Sequence, residues 1–284
     1  MITVLHAPAY CTIQDRGWHN LRRAGMPVSG AMDRWASHAA NLMVGNPDDA
    51  AVFEWALTGG RLQFDRDVVA AIRGPGVSVT HAVRAGEELV LPRPAVGRFL
   101  YLAVAGGLHT AVILGSRSTY LPAGLGHAIK TGDRIPIGSL PTTGATTPAD
   151  EPRYAAGVVR VVEGPQRHLF TDDAWHQFLR TEWKVSRASD RMGYRLEGEP
   201  VAAPAADLPS EAACVGAIQM PPDGLPIVLM ADGPTVGGYP KIAVVITADL
   251  PILVQRQPGE SLRLTATTVV VAQTELRQIR GARG

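Results

Sequence analysis

Val158-Val159-Arg160-Val161-Val162-Glu163-Gly164-Pro165-Gln166 is a β-branched, apolar run that stops at Gly-Pro. Proline carries no N–H to continue a hydrogen-bonded ladder, so this is the pattern of a buried strand with a fixed end. Ninety residues earlier, Val68-Val69-Ala70-Ala71-Ile72-Arg73-Gly74-Pro75-Gly76 has the same construction. Outward from these two, residues 98–105, 225–230, 242–246 and 261–271 are further short apolar runs bounded by Gly and Pro, and are predicted strands. A second device recurs at Ala85-Gly86-Glu87-Glu88-Leu89, Thr131-Gly132-Asp133-Arg134-Ile135 and Pro258-Gly259-Glu260-Ser261-Leu262. Each reads as a turn feeding a strand. Turns of this kind also occur in unrelated chains, so the repetition fits two similarly built β units and fits coincidence.

Two segments have helical spacing. Trp35, Ala39, Leu42 and Met43 share a face, and Gly45-Asn46-Pro47 ends the run. Thr171 is an N-cap candidate, followed by Asp172 and Asp173 where the helix dipole favours acids, with Trp175, Phe178 and Leu179 on one face. Residues 140–152 are polar, rich in Pro and Thr and without periodicity, which marks a linker. The expected division is 1–145 and 150–284, with exchange of segments between the units left open.

Composition supports a mainly β chain with a few helices. Thirty glycines and twenty-two prolines are about 18% of the 284 residues, against about 12% in average usage. A chain of 30.1 kDa buries roughly 73% of its unfolded surface, so its core needs no disulfide or metal. A formal charge of +1 gives no bulk attraction to nucleic acid or anionic membrane. Cys11 and Cys214 form no metal or redox motif, no histidine pair has ligand spacing, and no Gly-Lys phosphate loop occurs. The start, Met1 to Pro8, lacks the features of a signal peptide, and no run has the length of a membrane span. A reduced, cytoplasmic setting is the expectation.

Four stretches combine turn residues with dense polar groups. They are Gln14-Asp15-Arg16-Gly17 with the following Gly25-to-Asp33 loop; Ser116-Arg117-Ser118-Thr119; Ser189-Asp190-Arg191-Met192-Gly193; and Gln219-Met220-Pro221-Pro222-Asp223-Gly224 with Asp232 to Lys241. Asp15-Arg16 and Asp190-Arg191 are acid–base pairs beside glycines. Arginine presents a fork of donors suited to carboxylate or phosphate, but each Asp also suits a turn that it braces itself. Ser116 to Thr119 suits an anion nest or a turn cap. Gly237-Gly238-Tyr239-Pro240 suits close backbone approach to a ligand or a plain loop. Glu54 is an acid within an apolar run, either buried and paired or facing water. Lysine is rare, with Lys130, Lys184 and Lys241 set against 24 arginines, and Lys241 sits beside the double glycine.

These stretches, in this order, together with Ala40-to-Asn46, Ala105-Gly106-Gly107 and Gly164-Pro165-Gln166, resemble the biotin-dependent carboxyltransferase-like family. Its members are known as allophanate hydrolase subunit 2, KipA or the C subunit of 5-oxoprolinase. The resemblance spans nearly the whole chain. It implies two cyclophilin-like β-barrel units and a KipI-like partner (allophanate hydrolase subunit 1, or the B subunit of 5-oxoprolinase). It also implies, with a LamB/YcsF-like chain, an ATP-dependent 5-oxoprolinase that opens a lactam to glutamate. ATP is then expected in the assembled complex, since this chain shows no nucleotide motif. Ala128-Ile129-Lys130-Thr131 is no convincing biotin attachment site, and a metal site is not expected. Asp15, Arg16, Glu54, Asp190 and Arg191 are the catalytic candidates. Gln14, Ser29, Ser116, Arg117, Gln219, Asp232, Thr235, Gly238, Tyr239 and Lys241 are the substrate-binding candidates. Two other readings follow from the same resemblance: an allophanate- or urea-directed hydrolase or carboxyltransferase subunit, and a KipA-type regulator that binds a KipI-like kinase inhibitor. One departure stands out. The family's Asp-x-Gln-Thr is Asp232-Gly233-Pro234-Thr235 here, without the glutamine.

Overall fold

A computed structural model describes residues 1–139, 144–148, 151–204 and 208–281. The chain divides into two compact units. The first holds residues 1–19 and 28–149, and the second holds 20–27 and 150–284. Of the proposed linker, residues 140–143 and 149–150 lie outside the described residues.

The first unit contains β1 (Ile2–His6), β2 (Tyr10–Gln14), α1 (Arg34–Met43), β3 (Val52–Ala56), β4 (Gly60–Phe64), β5 (Val68–Gly74), β6 (Val77–Val83), β7 (Glu88–Leu91), β8 (Phe99–Val104) and β9 (Arg134–Ile135). They form a five-stranded sheet, β2-β3-β8-β5-β6, and a four-stranded sheet, β7-β4-β1-β9. Ile2, Val4, Leu62 and Phe64 from the smaller sheet and Phe53, Trp55, Ile72, Leu100 and Leu102 from the larger share one apolar core. Each such side chain contributes about 1.5–3 kcal/mol by leaving water. The central strands β3 and β8 are buried at every position, which explains their continuous apolar runs. Helix α1 packs on β5 and β8, and it is capped by Asp33, whose Oδ1 accepts from Trp35 N and Ala36 N at 3.1 and 3.0 Å.

The second unit contains β10 (Val158–Glu163), α2 (Asp172–Arg180), β11 (Trp183–Val185), β12 (Gly193–Glu197), β13 (Glu211–Ala212), β14 (Ala217–Gln219), β15 (Ile227–Leu229), β16 (Val236–Gly237), β17 (Lys241–Val245), α3 (Leu250–Val254), β18 (Ser261–Ala266) and α4 (Val269–Gly281). Seven of these strands close a barrel in the order β10-β17-β14-β15-β12-β11-β18, and β13 and β16 form a separate two-stranded ribbon. Val159, Val161, Phe178, Trp183, Tyr194, Ile218, Val228 and Leu262 are buried. Thr171 caps α2 through Ala174 N at 3.1 Å. The fold is mainly β, as the composition and strand pattern predicted.

The repeated Gly-acid device has one geometry at all three places. Arg84 N, Lys130 N and Gln257 N donate to the carboxylates of Glu87, Asp133 and Glu260 at 2.9, 2.8 and 2.9 Å. The backbone N–H of each acid returns to the carbonyl of the same first residue at 3.0–3.1 Å. The intervening Gly86, Gly132 and Gly259 have φ of 82°, 94° and 90°, the third position of a turn that favours glycine.

One predicted strand is shorter than its sequence pattern. The run 261–271 is a strand only through Ala266, and Thr268 then starts α4, accepting from Ala272 N at 3.0 Å. Val269, Val270 and Val271 are exposed, so strand propensity has no packed face there to act through. Helix α4 is held instead by Arg160, which pairs with both Asp249 and Glu275 at 2.7 and 2.8 Å.

Candidate functional site

In the first unit the polar motifs converge at the end of β2. The backbones of 15–18 and 28–31 are bonded directly, with Trp18 N to Val28 O at 2.7 Å and Ala31 N to Asp15 O at 3.0 Å. This approach requires glycine on both sides. A Cβ at Gly17 would lie 2.0 Å from Val28 O, and one at Gly30 would lie 2.8 Å from Asp15 O.

Asp15 sits at the centre of the cluster. Its Oδ1 accepts from Gly17 N, Ser116 Oγ and Ser118 Oγ at 2.7, 2.6 and 2.6 Å, and its Oδ2 from Arg117 N at 2.6 Å. Ser116 to Ser118 therefore do form a donor-rich anion nest, and the anion it holds is the chain's own Asp15. Asp15 thus braces the turn, and the Ser116 and Ser118 hydroxyls are engaged with it. Gln14 is fully buried. Its Nε2 donates to Thr12 Oγ1 and Thr119 O at 3.0 and 3.1 Å, and its Oε1 has no hydrogen-bond partner among the described residues. Ser29, at φ 53°, is also buried, with Oγ 3.5 Å from Thr119 O.

Glu54 lies behind this loop with no solvent exposure. Its Oε2 accepts from Met32 N and Tyr101 Oη at 2.7 and 2.8 Å, and Tyr101 Oη accepts from Asp33 N at 2.8 Å. Glu54 thus fixes the loop that enters α1. Burial, and after it the Glu54 charge, push the Tyr101 hydroxyl and the Cys11 thiol well above their ordinary values.

The arginines separate by partner. Exposed Arg16 pairs with Asp48, which also meets His38 Nδ1. Burial and then the Arg16 charge lower the pKa of neighbouring Arg34. The His19 pKa is lowered by burial first and by the Arg34 charge next. Arg191 is locked in a buried two-point pair with Asp232, Nε to Oδ2 at 2.8 Å and NH2 to Oδ1 at 3.0 Å. The half-buried Arg117 has its backbone fixed by Asp15, while its guanidinium has no carboxylate partner among the described residues.

In the second unit Asp190 Oδ1 accepts from Met192 N and Gly193 N at 2.8 and 3.1 Å. It too braces its own turn. Asp232 is committed to Arg191. Thr235 uses its carbonyl to take Ala213 N at 3.0 Å, and Tyr239 is exposed. Gln219 and Lys241 are buried cross-strand partners on β14 and β17. Lys241 Nζ meets Glu211 Oε1 at 2.7 Å, and the same carboxylate oxygen accepts from Gln166 Nε2. Lys241 first and Gln166 after it hold the Glu211 carboxyl below the ordinary carboxylate range.

Sequence reading missed Glu211, Asp48, His38 and Arg34 as site neighbours. Their partners lie 10 to 45 residues away along the chain, as for Asp48 with His38 and with Arg16 and Glu211 with Lys241 and with Gln166, and no local pattern marks such pairs. Among the described residues no cluster of His, Cys, Asp and Glu could hold a metal ion, and no helix is long and apolar enough to cross a membrane.

Residues 24–266 match the family model described as carboxyltransferase domain, subdomain A and B. The chain is 36% identical over 278 residues to the C subunit of 5-oxoprolinase from Escherichia coli, covering 92% of this chain and 90% of that one. Among solved structures it is similar to TTHA0988, with a TM-score of 0.83 and 31% identity over 93% of this chain and 55% of that one. It is also similar to the urea carboxylase of Kluyveromyces lactis, with a TM-score of 0.85 and 27% identity over 99% of this chain and 29% of that one. The chain thus spans about half or less of the solved chains it matches, but nearly all of the E. coli protein. With 243 consecutive residues inside the family model, and with the fold shared, the chain belongs to the carboxyltransferase domain A and B family.

Proposed function

We propose that this chain is the C-type subunit of a hetero-oligomeric, ATP-dependent 5-oxoprolinase, acting with a KipI-like and a LamB/YcsF-like subunit. The observation that carries the reading is sequence identity. The chain is 36% identical over 278 residues to a protein named as the C subunit of 5-oxoprolinase, against 27% to a urea carboxylase of the same fold.

The reaction cleaves the lactam C–N bond of 5-oxoproline, with water supplying the new carboxylate oxygen and the proton on the freed amine. An unstrained amide resists this step, so ATP is assigned to the assembled complex, outside this chain's own motifs. The polar motif residues of this chain serve binding and orientation. Arg117, with its backbone N–H held by Asp15 and its guanidinium without a carboxylate partner among the described residues, is the anion-binding candidate of the first unit. Asp15, Glu54 and Asp190 position loops.

The test is coexpression of the three subunits followed by assay of 5-oxoproline-dependent ADP release. Release that requires this chain supports the proposal. Rapid allophanate turnover by the KipI-like pair would favour the urea-directed reading, and tight pairing without any turnover would favour the regulatory one.

A further inference from the structure

The polar cluster under the β13–β16 ribbon is built from groups that a plain barrel surface does not need. Gln166, Gln219 and Lys241 are all buried, at 9%, 5% and 4% exposure, and their partner Glu211 has a side chain 45% exposed. Lys241 Nζ and Gln166 Nε2 both donate to the single oxygen Oε1 of Glu211. The Gln166 amide is oriented for this because its Oε1 accepts from Lys241 N at 3.1 Å. Gln219, opposite Lys241 on the neighbouring strand, has a buried Nε2 with no hydrogen-bond partner among the described residues. An unmet buried donor is costly to a fold, which marks this one as a group with a use.

What covers that donor is the same ribbon that carries the carboxylate. Gly237 is the register partner of Glu211, and a Cβ on Gly237 would lie 2.5 Å from Gln219 Nε2. The ribbon has two residues on each strand. Such a short pairing is marginal by itself. Withdrawal of Glu211 would therefore lift Gly237 with it and uncover the third donor. Lys241 and Gln166 already share one carboxylate oxygen, and Gln219 Nε2 lies under the residue paired with Glu211; a donor set that includes a buried ammonium suits a carboxylate.

We propose that Gln166, Gln219 and Lys241 form a carboxylate-binding subsite of the second unit, closed in this structure by the chain's own Glu211, which a small carboxylate ligand displaces. The proposal deepens the 5-oxoprolinase reading and rests on it only for the identity of the ligand. Calorimetric titration of the full chain tests it with three probes: 5-oxoproline, 2-pyrrolidinone (the same lactam without the carboxylate) and acetate. Glu211→Gln removes the competing charge while keeping its shape. It is expected to bind 5-oxoproline at least tenfold more tightly than the unaltered chain, with 2-pyrrolidinone unchanged and the gain lost when Lys241→Met is added. If the variant melts lower, a larger rise in Tm with 5-oxoproline than the unaltered chain gives is the equivalent readout. A gain for acetate but not 5-oxoproline supports the subsite and tells against the 5-oxoprolinase reading. No gain for either carboxylate by affinity or Tm, or an equal gain for 2-pyrrolidinone, overturns the proposal.

Discussion

Asp15 and Arg117 meet through one backbone hydrogen bond between the two serines, yet they have opposite chemical fates. Asp15 collects four donors from two loops, whereas Arg117 contributes only its backbone to that arrangement. Asp15→Ala should therefore cost stability, about 2–4 kcal/mol for several donors left unmet, read as a lower midpoint in denaturant. Arg117→Ala should leave that midpoint nearly unchanged and lower kcat/KM of the assembled enzyme about 10–100-fold, the range of a lost charge-assisted hydrogen bond. The cysteines give a third check. Cys11 is buried, with its thiol pKa pushed up by burial and the Glu54 charge, while Cys214 is exposed. At pH 8 a thiol reagent should label one sulfur in the native protein and two after unfolding. Motif reading found the residues around Asp15 but left their roles open, because an Asp that braces a turn and an Asp that meets a substrate have the same local sequence.

At the scale of elements, most of the architecture is legible where one short segment contains its own explanation. The Gly-acid turns are of this kind, since the glycine, the acid and the donor lie within four residues. The cap of α2 is another, and Thr171→Ala should cost about 1 kcal/mol in thermal or denaturant unfolding. The end of β18 was not legible. Val269 to Val271 have strand propensity, and what makes them helical lies at Arg160 and Glu275, 115 residues apart. This anchor has a defined pH dependence. The Glu275 carboxyl is held below its ordinary value mainly by Arg160, so its contribution is fully present above the unfolded carboxylate pKa of about 4.3. It is lost as pH falls through the lowered folded value. Hydrogen exchange in 269–281 should therefore stay protected near neutrality and open at acid pH before the barrel does. Glu275→Gln should show the open pattern already at pH 7.

Over the whole molecule, the two β units were suggested by repeated strand ends, but the membership of segment 20–27 in the later unit was not readable. Its contact, Arg22 to the carbonyl of Ala213, joins residues with no sequence relation. The same holds for Glu211 on Lys241 and for Asp232 on Arg191. Long-range pairing turns a string of polar motifs into two clusters, and it also explains why the family resemblance was clearer than the role of any one residue. The proposed activity belongs to the assembled enzyme, so its most direct test is glutamate release from 5-oxoproline by the three coexpressed subunits. Glutamate and ADP should form together, cease when this chain is omitted, and fall about 10–100-fold with Arg117→Ala. Undiminished glutamate formation without this chain, or none from the intact complex supplied with ATP, would contradict it.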